Sequence, residues 1–354
     1  MIVAFIGLPQ SGKTTLAAAV GGSVPDPSGP PQIQHAVVKV PDDRLTVLAG
    51  MYKPKKVTEA TTEYIDVPGF SLSDHKGQDD FKRYLPDLRQ SDLLVAVVRA
   101  FENPSVAAYK DRIDAEADFA EIYDELIYAD LYTIGNRLEK VEKALKKPTK
   151  MQEQEKREHA VLVACNDALE NVKPLSSILT NPDDQRVVSS FGLLTLKPLL
   201  VTHNVSEQDA AKPDPTAPEH AAGAINVSAL TELEIGQLDP PDRVAFLEDL
   251  GVAQPARDRL IRKCYEALGL ASFLAVGPDE VRAWTIERGS EAVVAASKIH
   301  SDIARGFIRA ETVAYDDLIE AGDMKAAKAN GRVRQEGKTY VVQDGDVINF
   351  KFNV

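Results

Sequence analysis

Cysteine is almost missing from this chain, which carries Cys165 and Cys264 and no others. They form no C-x-x-C pair and no cluster with histidine, so neither a disulfide framework nor a zinc site is indicated, and both read as reduced thiols. Long apolar runs are missing as well. The run within residues 92–100, with LLVAVV inside, is far shorter than the roughly 20 residues that cross a bilayer, and no basic, cleavable leader precedes the first apolar run. The expectation is a cytoplasmic protein with no membrane partner. Positive charge is the third shortage: 41 Lys and Arg stand against 54 Asp and Glu, a net charge of −13. Such a surface as a whole repels nucleic acid, whose phosphates must be met by Lys and Arg. The basic residues that do occur come in local runs, at Lys53, Lys55 and Lys56 and at Lys140, Lys143, Lys146, Lys147 and Lys150. Runs of this kind are most often solvated faces. Internal repeats and low-complexity tracts are also lacking. What remains is an ordinary globular composition, 44% apolar and 27% charged over 354 residues, enough for two or three domains.

Residues 2–20, IVAFIGLPQSGKTTLAAAV, organise the reading. An apolar run, a glycine-containing loop and a helix-forming run follow without a gap, and Gly7, Gly12, Lys13 and Thr14 meet the pattern G-x-x-x-x-G-K-[ST]. Each position has a task toward a nucleoside triphosphate. Glycines let backbone amides approach the phosphates, and a helix starting near Lys13 adds its N-terminal dipole. Lys13, expected to be solvated without ligand, reaches the β and γ phosphates, while Thr14 ligates Mg²⁺. Pro9, Gln10, Ser11, Gly12, Lys13, Thr14 and Thr15 are the predicted phosphate cradle.

Downstream, the apolar run in residues 61–67 leads into DVPG at 66–69. This is the D-x-x-G form that switch NTPases place beside the γ phosphate, with Asp66 holding Mg²⁺ through water and the Gly69 N–H facing the phosphate. Phe70 follows, where many GTPases carry a water-orienting Gln. A returning apolar run, 198–204, ends in NVSE, where a GTPase would carry N-K-x-D. Asn204, Val205 and Glu207 are predicted on the base, and the longer carboxylate of Glu207 weakens guanine pairing. Ser228, Ala229 and Leu230, after the short run 224–227, have the form of a backbone loop bordering a purine. Lys13 and Gly69 are the catalytic candidates, Thr14 and Asp66 the metal candidates. No Thr occurs between Leu16 and Leu45, so the first switch, expected after residues 21–31, lacks the hydroxyl that closes over Mg²⁺.

Apolar residues recur at helical spacing over 113–142, Pro148 breaks the pattern, and a second helical run spans 151–172, predicting an antiparallel hairpin. The terminal stretch YVVQDGDVINFKFNV alternates on both sides of Asp344 and Gly345, a hairpin signal.

VGPDEVRAWTIERG, KIHSDIARGFIRAE, YDDLIEAG and GKTYVVQDGDVINFKFNV near the end, with VPDDRL and KPKK near the first switch, resemble the Obg-like ATPase family of YchF type among the translation-factor-related P-loop GTPases. The likeness covers nearly the whole chain. It implies an α/β Ras-like P-loop G domain with a helical coiled-coil insertion and a C-terminal β-grasp (TGS) domain. Residues 1–112 and 191–269 would form the G domain, 113–190 the insertion and 270–354 the TGS domain. It further implies hydrolysis of ATP in preference to GTP and association with ribosomes through RNA or protein. Mg²⁺ is expected from Thr14 and Asp66, and the chain is expected to act as a monomer. Two departures stand out: Gln10 replaces an Asn that helps hold a monovalent cation, and a His expected within 103–112 is absent. A non-hydrolysing, nucleotide-dependent binding protein is the alternative. A small-molecule kinase would need a lid with paired arginines, which the sequence does not offer.

Overall fold

The computed structural model describes residues 1–22, 32–69, 75–146 and 152–353. Its contacts divide it into two compact units, Met1–Ala36 with Glu63–Arg257 and Val37–Thr62 with Asp258–Val354.

The first unit is built on a six-stranded sheet. Strands β1 (Ile2–Ile6), β2 (Gln34–Lys39), β4 (Thr61–Asp66), β5 (Leu93–Ala100), β6 (Leu199–Val205) and β7 (Gly223–Val227) lie in the order β2-β4-β1-β5-β6-β7. The pairings from β4 through β7 are parallel. Parallel strands are covered on both faces, which explains why Val3 to Ile6 and Leu93 to Val98 are unbroken apolar runs, all fully buried. Helix α1 (Lys13–Gly21) follows β1 and lies against α8 (Ala229–Gln237), which follows β7; α3 (His75–Gln90) joins β4 to β5. Because the strand order reverses beside β1, the loops leaving the C-terminal ends of these strands gather at one rim.

Helices α4 (Ala115–Leu145) and α5 (Gln152–Glu170) form the expected antiparallel hairpin. Asp114 caps α4 by accepting the Ala117 N–H at 3.0 Å. The apolar stripe of α4, including Ile122, Leu126, Ile134 and Val141, shares one core with Val161, Leu162 and Leu169 of α5 and with Ile65, Leu94 and Val201 of the sheet. The insertion is thus rooted in the nucleotide unit by apolar burial. Arg137 donates two bonds to Glu158 across the hairpin, at 2.5 and 2.9 Å. The chain returns through α6 (Leu175–Ile178) and α7 (Pro182–Val188). Buried Asp130 then accepts the Leu194 and Thr195 N–H groups at 2.9 and 2.8 Å, fixing the approach to β6. Helix α9 (Pro240–Asp249) follows α8, and α10 (Ala256–Ala267) leads into the second unit.

The second unit has the order β11-β10-β12-β8-β9-β3. Its strands are β3 (Lys56–Thr58), β8 (Leu270–Val276), β9 (Glu280–Glu287), β10 (Phe307–Ala314), β11 (Arg334–Glu336) and β12 (Asp346–Phe352). Parallel β8 and β12 sit centrally, with β9 and β10 antiparallel outside them, the β-grasp arrangement. Helix α11 (Ala292–Ile299) buries Ala292, Ala295 and Ala296 in a core with Phe273, Ile286 and Phe350. The short helices α12 (Ser301–Arg305), α13 (Tyr315–Ala321) and α14 (Met324–Ala329) complete this part. Residues 37–62, which run from within β2 to the start of β4, group here: α2 (Asp43–Tyr52) leads to β3, which pairs in parallel with β9, Lys56 to Glu280 through Thr58 to Arg282. Contacts also place 258–269 in this unit.

The terminal hairpin expected around Asp344 and Gly345 does not form. Only its second run is a strand; Val341 makes an isolated bridge to Glu291, and the Tyr340 carbonyl accepts the Ala292 N–H. The turn is spent on β8 instead: Ser272 N donates to the Asp344 carboxylate and Gly345 N donates to the Ser272 carbonyl, both at 2.8 Å. Alternation in the sequence reported strand-like side-chain placement but not which strand would accept the bonds.

Candidate functional site

The P-loop lies at the C-terminal end of β1, and its glycines are where backbone crowding demands them. A Cβ on Gly7 would stand 2.7 Å from the Val97 carbonyl oxygen; one on Gly12 would stand 2.0 Å from Asn204 Nδ2, and Gly12 has φ +83°. No side chain caps α1 and its first turn holds no acid, so its leading N–H groups and positive dipole end are available to an anion. Thr14 is exposed in that turn. Gln10 adopts φ 63°, unusual for a residue with a side chain. The D-x-x-G loop meets this cradle: a Cβ on Gly69 would lie 3.6 Å from the Cα of Pro9. Ser11 is buried, its hydroxyl without a hydrogen-bond partner.

Lys13 is not the solvated side chain expected from the sequence. It is 4% exposed and ion-paired with Asp66, 7% exposed, at the end of β4. Burial pulls its pKa below the usual lysine range, and the carboxylate of Asp66 opposes that pull. The phosphate-side candidate and the metal candidate of the sequence therefore neutralise each other.

The base-side candidates converge on a cavity of about 530 Å³ at the ends of β5, β6 and β7. Gln10, Gly12, Thr15, Asn204, Val205, Glu207, Ser228, Ala229 and Leu230 all line it. Its size is that of an ordinary small-molecule site. Asn204 is committed to the backbone on both sides of its amide. Its Nδ2 donates to the Ser11 carbonyl at 2.8 Å and its Oδ1 accepts the Ala229 N–H at 3.0 Å, clamping the P-loop to the loop before α8. Val205 is buried, Ser228 shares a 2.8 Å bond with Thr231, and Glu207 and Leu230 are exposed at the mouth. Phe70 and residues 23–31, beside the expected first switch, lie outside the described residues.

Sequence reasoning missed Arg99. This buried guanidinium ends β5 and donates to the carbonyls of Phe101, Val106 and Ala107, 2.9 to 3.1 Å away, with its carbon 4.6 Å from the Phe101 ring centroid. An arginine closing an otherwise apolar strand was the available signal.

The donor set suits Mg²⁺. Thr14 and Asp66 offer hard oxygen ligands, and no group of three His, Cys, Asp or Glu that could cage a metal occurs among the described residues. Mg²⁺ commonly takes one or two protein oxygens and leaves its other positions to phosphate and water. No helix among the described residues is long and apolar enough to cross a membrane.

Residues 270–353 match the family model YchF-GTPase_C, described as a protein of unknown function (DUF933). The chain is similar to the "Ribosome-binding ATPase YchF" of Bacillus subtilis (strain 168), 40% identical over 99% of this chain and 98% of the relative. It is also similar to the protein of that name from Escherichia coli O157:H7, 35% identical over the same shares. A solved structure, that of the Schizosaccharomyces pombe YchF GTPase, matches with a TM-score of 0.84 and 26% identity, covering 99% of this chain and 97% of that one.

Proposed function

The chain belongs to the YchF family, and we propose that it is a ribosome-associated P-loop NTPase that hydrolyses ATP, with GTP as a weaker substrate, to drive a conformational switch. One observation carries this reading: the P-loop, Asp66, Gly69 and the Asn204, Glu207 and Ser228–Leu230 wall come from separate strands yet meet at one rim of the sheet.

The phosphates sit at the N-terminus of α1, where backbone N–H groups and Lys13 hold them and orient the γ phosphate against the Gly69 N–H. Thr14 and Asp66 would hold Mg²⁺, which when bound would supply positive charge against the phosphate oxygens. Entry of the triphosphate transfers Lys13 from Asp66 to phosphate. Asn204 keeps the P-loop and the purine-bordering loop in register, and Glu207 at the cavity mouth meets the exocyclic edge of the base. Phosphoryl transfer asks chiefly for such positioning, so no covalent step on the protein is needed. Phe70 cannot orient a water, which predicts slow basal turnover and stimulation by the ribosome.

That same Phe70 favours a second reading, a binding protein that holds ATP without cleaving it. Titration with labelled ATP and GTP tests the site. Single-turnover hydrolysis with and without ribosomes separates the readings: phosphate release accelerated by ribosomes supports the switch enzyme, and intact ATP under both conditions supports the binder.

A further inference from the structure

We infer that Arg99 is a positioning residue for the base end of the nucleotide, a strap that holds the 101–107 loop as one wall of the cavity. This rests on reading that cavity as the nucleotide site.

Arg99 is 3% exposed and spends its fork on three backbone carbonyls rather than on a carboxylate. The residues it gathers need gathering. Glu102 to Ser105 are exposed, and the loop's own bonds are a turn, Val106 N to the Asn103 carbonyl at 3.1 Å and Ser105 N to the Asn103 side chain at 2.9 Å. The guanidinium fastens both ends of that turn, at Phe101 and at Val106 and Ala107, and lies over the Phe101 ring. The ring thus held has Cε1 3.8 Å from where a Cβ on Gly12 would be, so it stands beside the P-loop, and Phe101, Glu102, Asn103 and Val106 all line the cavity. An aromatic face in such a place suits a purine, which any π face can stack upon. A lysine could not substitute, since its single ammonium cannot span three carbonyls that a planar fork meets together.

The division of labour makes this testable. Phosphates are held by the P-loop, which Arg99 does not touch, so tripolyphosphate with Mg²⁺ probes the cradle alone while ATP probes cradle and wall. Arg99→Met is expected to weaken ATP binding about ten-fold and to leave tripolyphosphate binding within two-fold of the parent. In hydrolysis KM should rise with kcat nearly unchanged, and amide exchange should speed up in 101–107 but not in 2–20. Should Arg99→Met fail to fold, Arg99→Lys decides, with ATP about three- to five-fold weaker and tripolyphosphate unaffected. Equal weakening of both ligands, or ATP binding like the parent's in the variant that folds, overturns the proposal. If the parent binds neither ligand, the nucleotide-site reading itself fails.

Discussion

Lys13 of the P-loop and Asp66 at the end of β4 are both buried and hold each other, and each is a liability when the other is removed. Lys13→Ala leaves a buried carboxylate unpaired, a change that costs about 3–5 kcal/mol. The expected result is a large loss of stability, which a second change, Asp66→Asn, should partly restore by removing the stranded charge; denaturant melts of the single and double variants check it. Asp66→Asn acts on the ligand side. With its competitor gone, Lys13 is free for phosphate, so ATP affinity in EDTA should exceed the parent's and the gain from added Mg²⁺ should fall. Unchanged affinity in EDTA would show that ATP does not have to break this pair. Elsewhere burial raises the Cys165 thiol to about 11 and the Tyr123 phenol to about 12, from 9.0 and 10.0. The unfolded groups lose their protons first, so the native state binds more protons across these intervals and stability falls as pH climbs from about 9 to 12. Cys165→Ala should flatten the start of that decline in a melting series.

At the scale of elements, the Asn204 clamp joins the end of β6 to the loops opening α1 and α8. Asn204→Ala strands the Ser11 carbonyl and the Ala229 N–H, a loss of about 1–3 kcal/mol. ATP affinity should drop with it, while the helical hairpin keeps its amide protection; exchange mapped by segment distinguishes local loosening from global unfolding. The strands and their terminal motifs were legible in the sequence because each signal is local. DVPG ends β4, NVSE spans the end of β6, and SAL follows β7, and parallel α/β sheets collect such ends at one rim. What escaped was pairing across distance. Arg44 of α2 meets Asp344 at 2.8 Å and Thr58 of β3 meets Glu280 at 2.5 Å, separations of 300 and 222 residues that no hydrophobic period encodes. The turn at Asp344 misled for the same reason, since its bonds go to Ser272. Arg99 and the covering of Lys13 belong to that class too: burial of a charge is visible only when the partners are.

For the whole molecule the net charge of −13 means that any contact with ribosomal RNA must come from local basic surfaces. Two arginines near the C-terminal end are already spoken for. Arg332 faces Asp317 at 2.9 Å and Glu320 at 3.8 Å, and Arg334 faces Glu336 and Asp346 at 3.6 Å. On the hairpin, Lys143 pairs with exposed Glu139 at 3.5 Å, a link that water and salt weaken, and Lys147 and Lys150 lie outside the described residues. Reversing Lys143, Lys146, Lys147 and Lys150 to Glu should weaken cosedimentation with ribosomes and flatten its salt dependence, whereas replacing Arg332 and Arg334 by Ala should leave both unchanged. Parent-like sedimentation of the lysine variant across a salt series would remove the hairpin from the interface. The strand β3 has a consequence of another kind. Its codons precede those of β4, yet it completes the sheet of residues 258–354, so this module is written in the gene as two separate passages. A chimera that takes only the later passage from a relative would set one parent's Lys56 and Arg44 against the other's Glu280 and Asp344. Lineages of this protein should therefore inherit 37–62 and 258–354 as a pair, each substitution in one answered in the other.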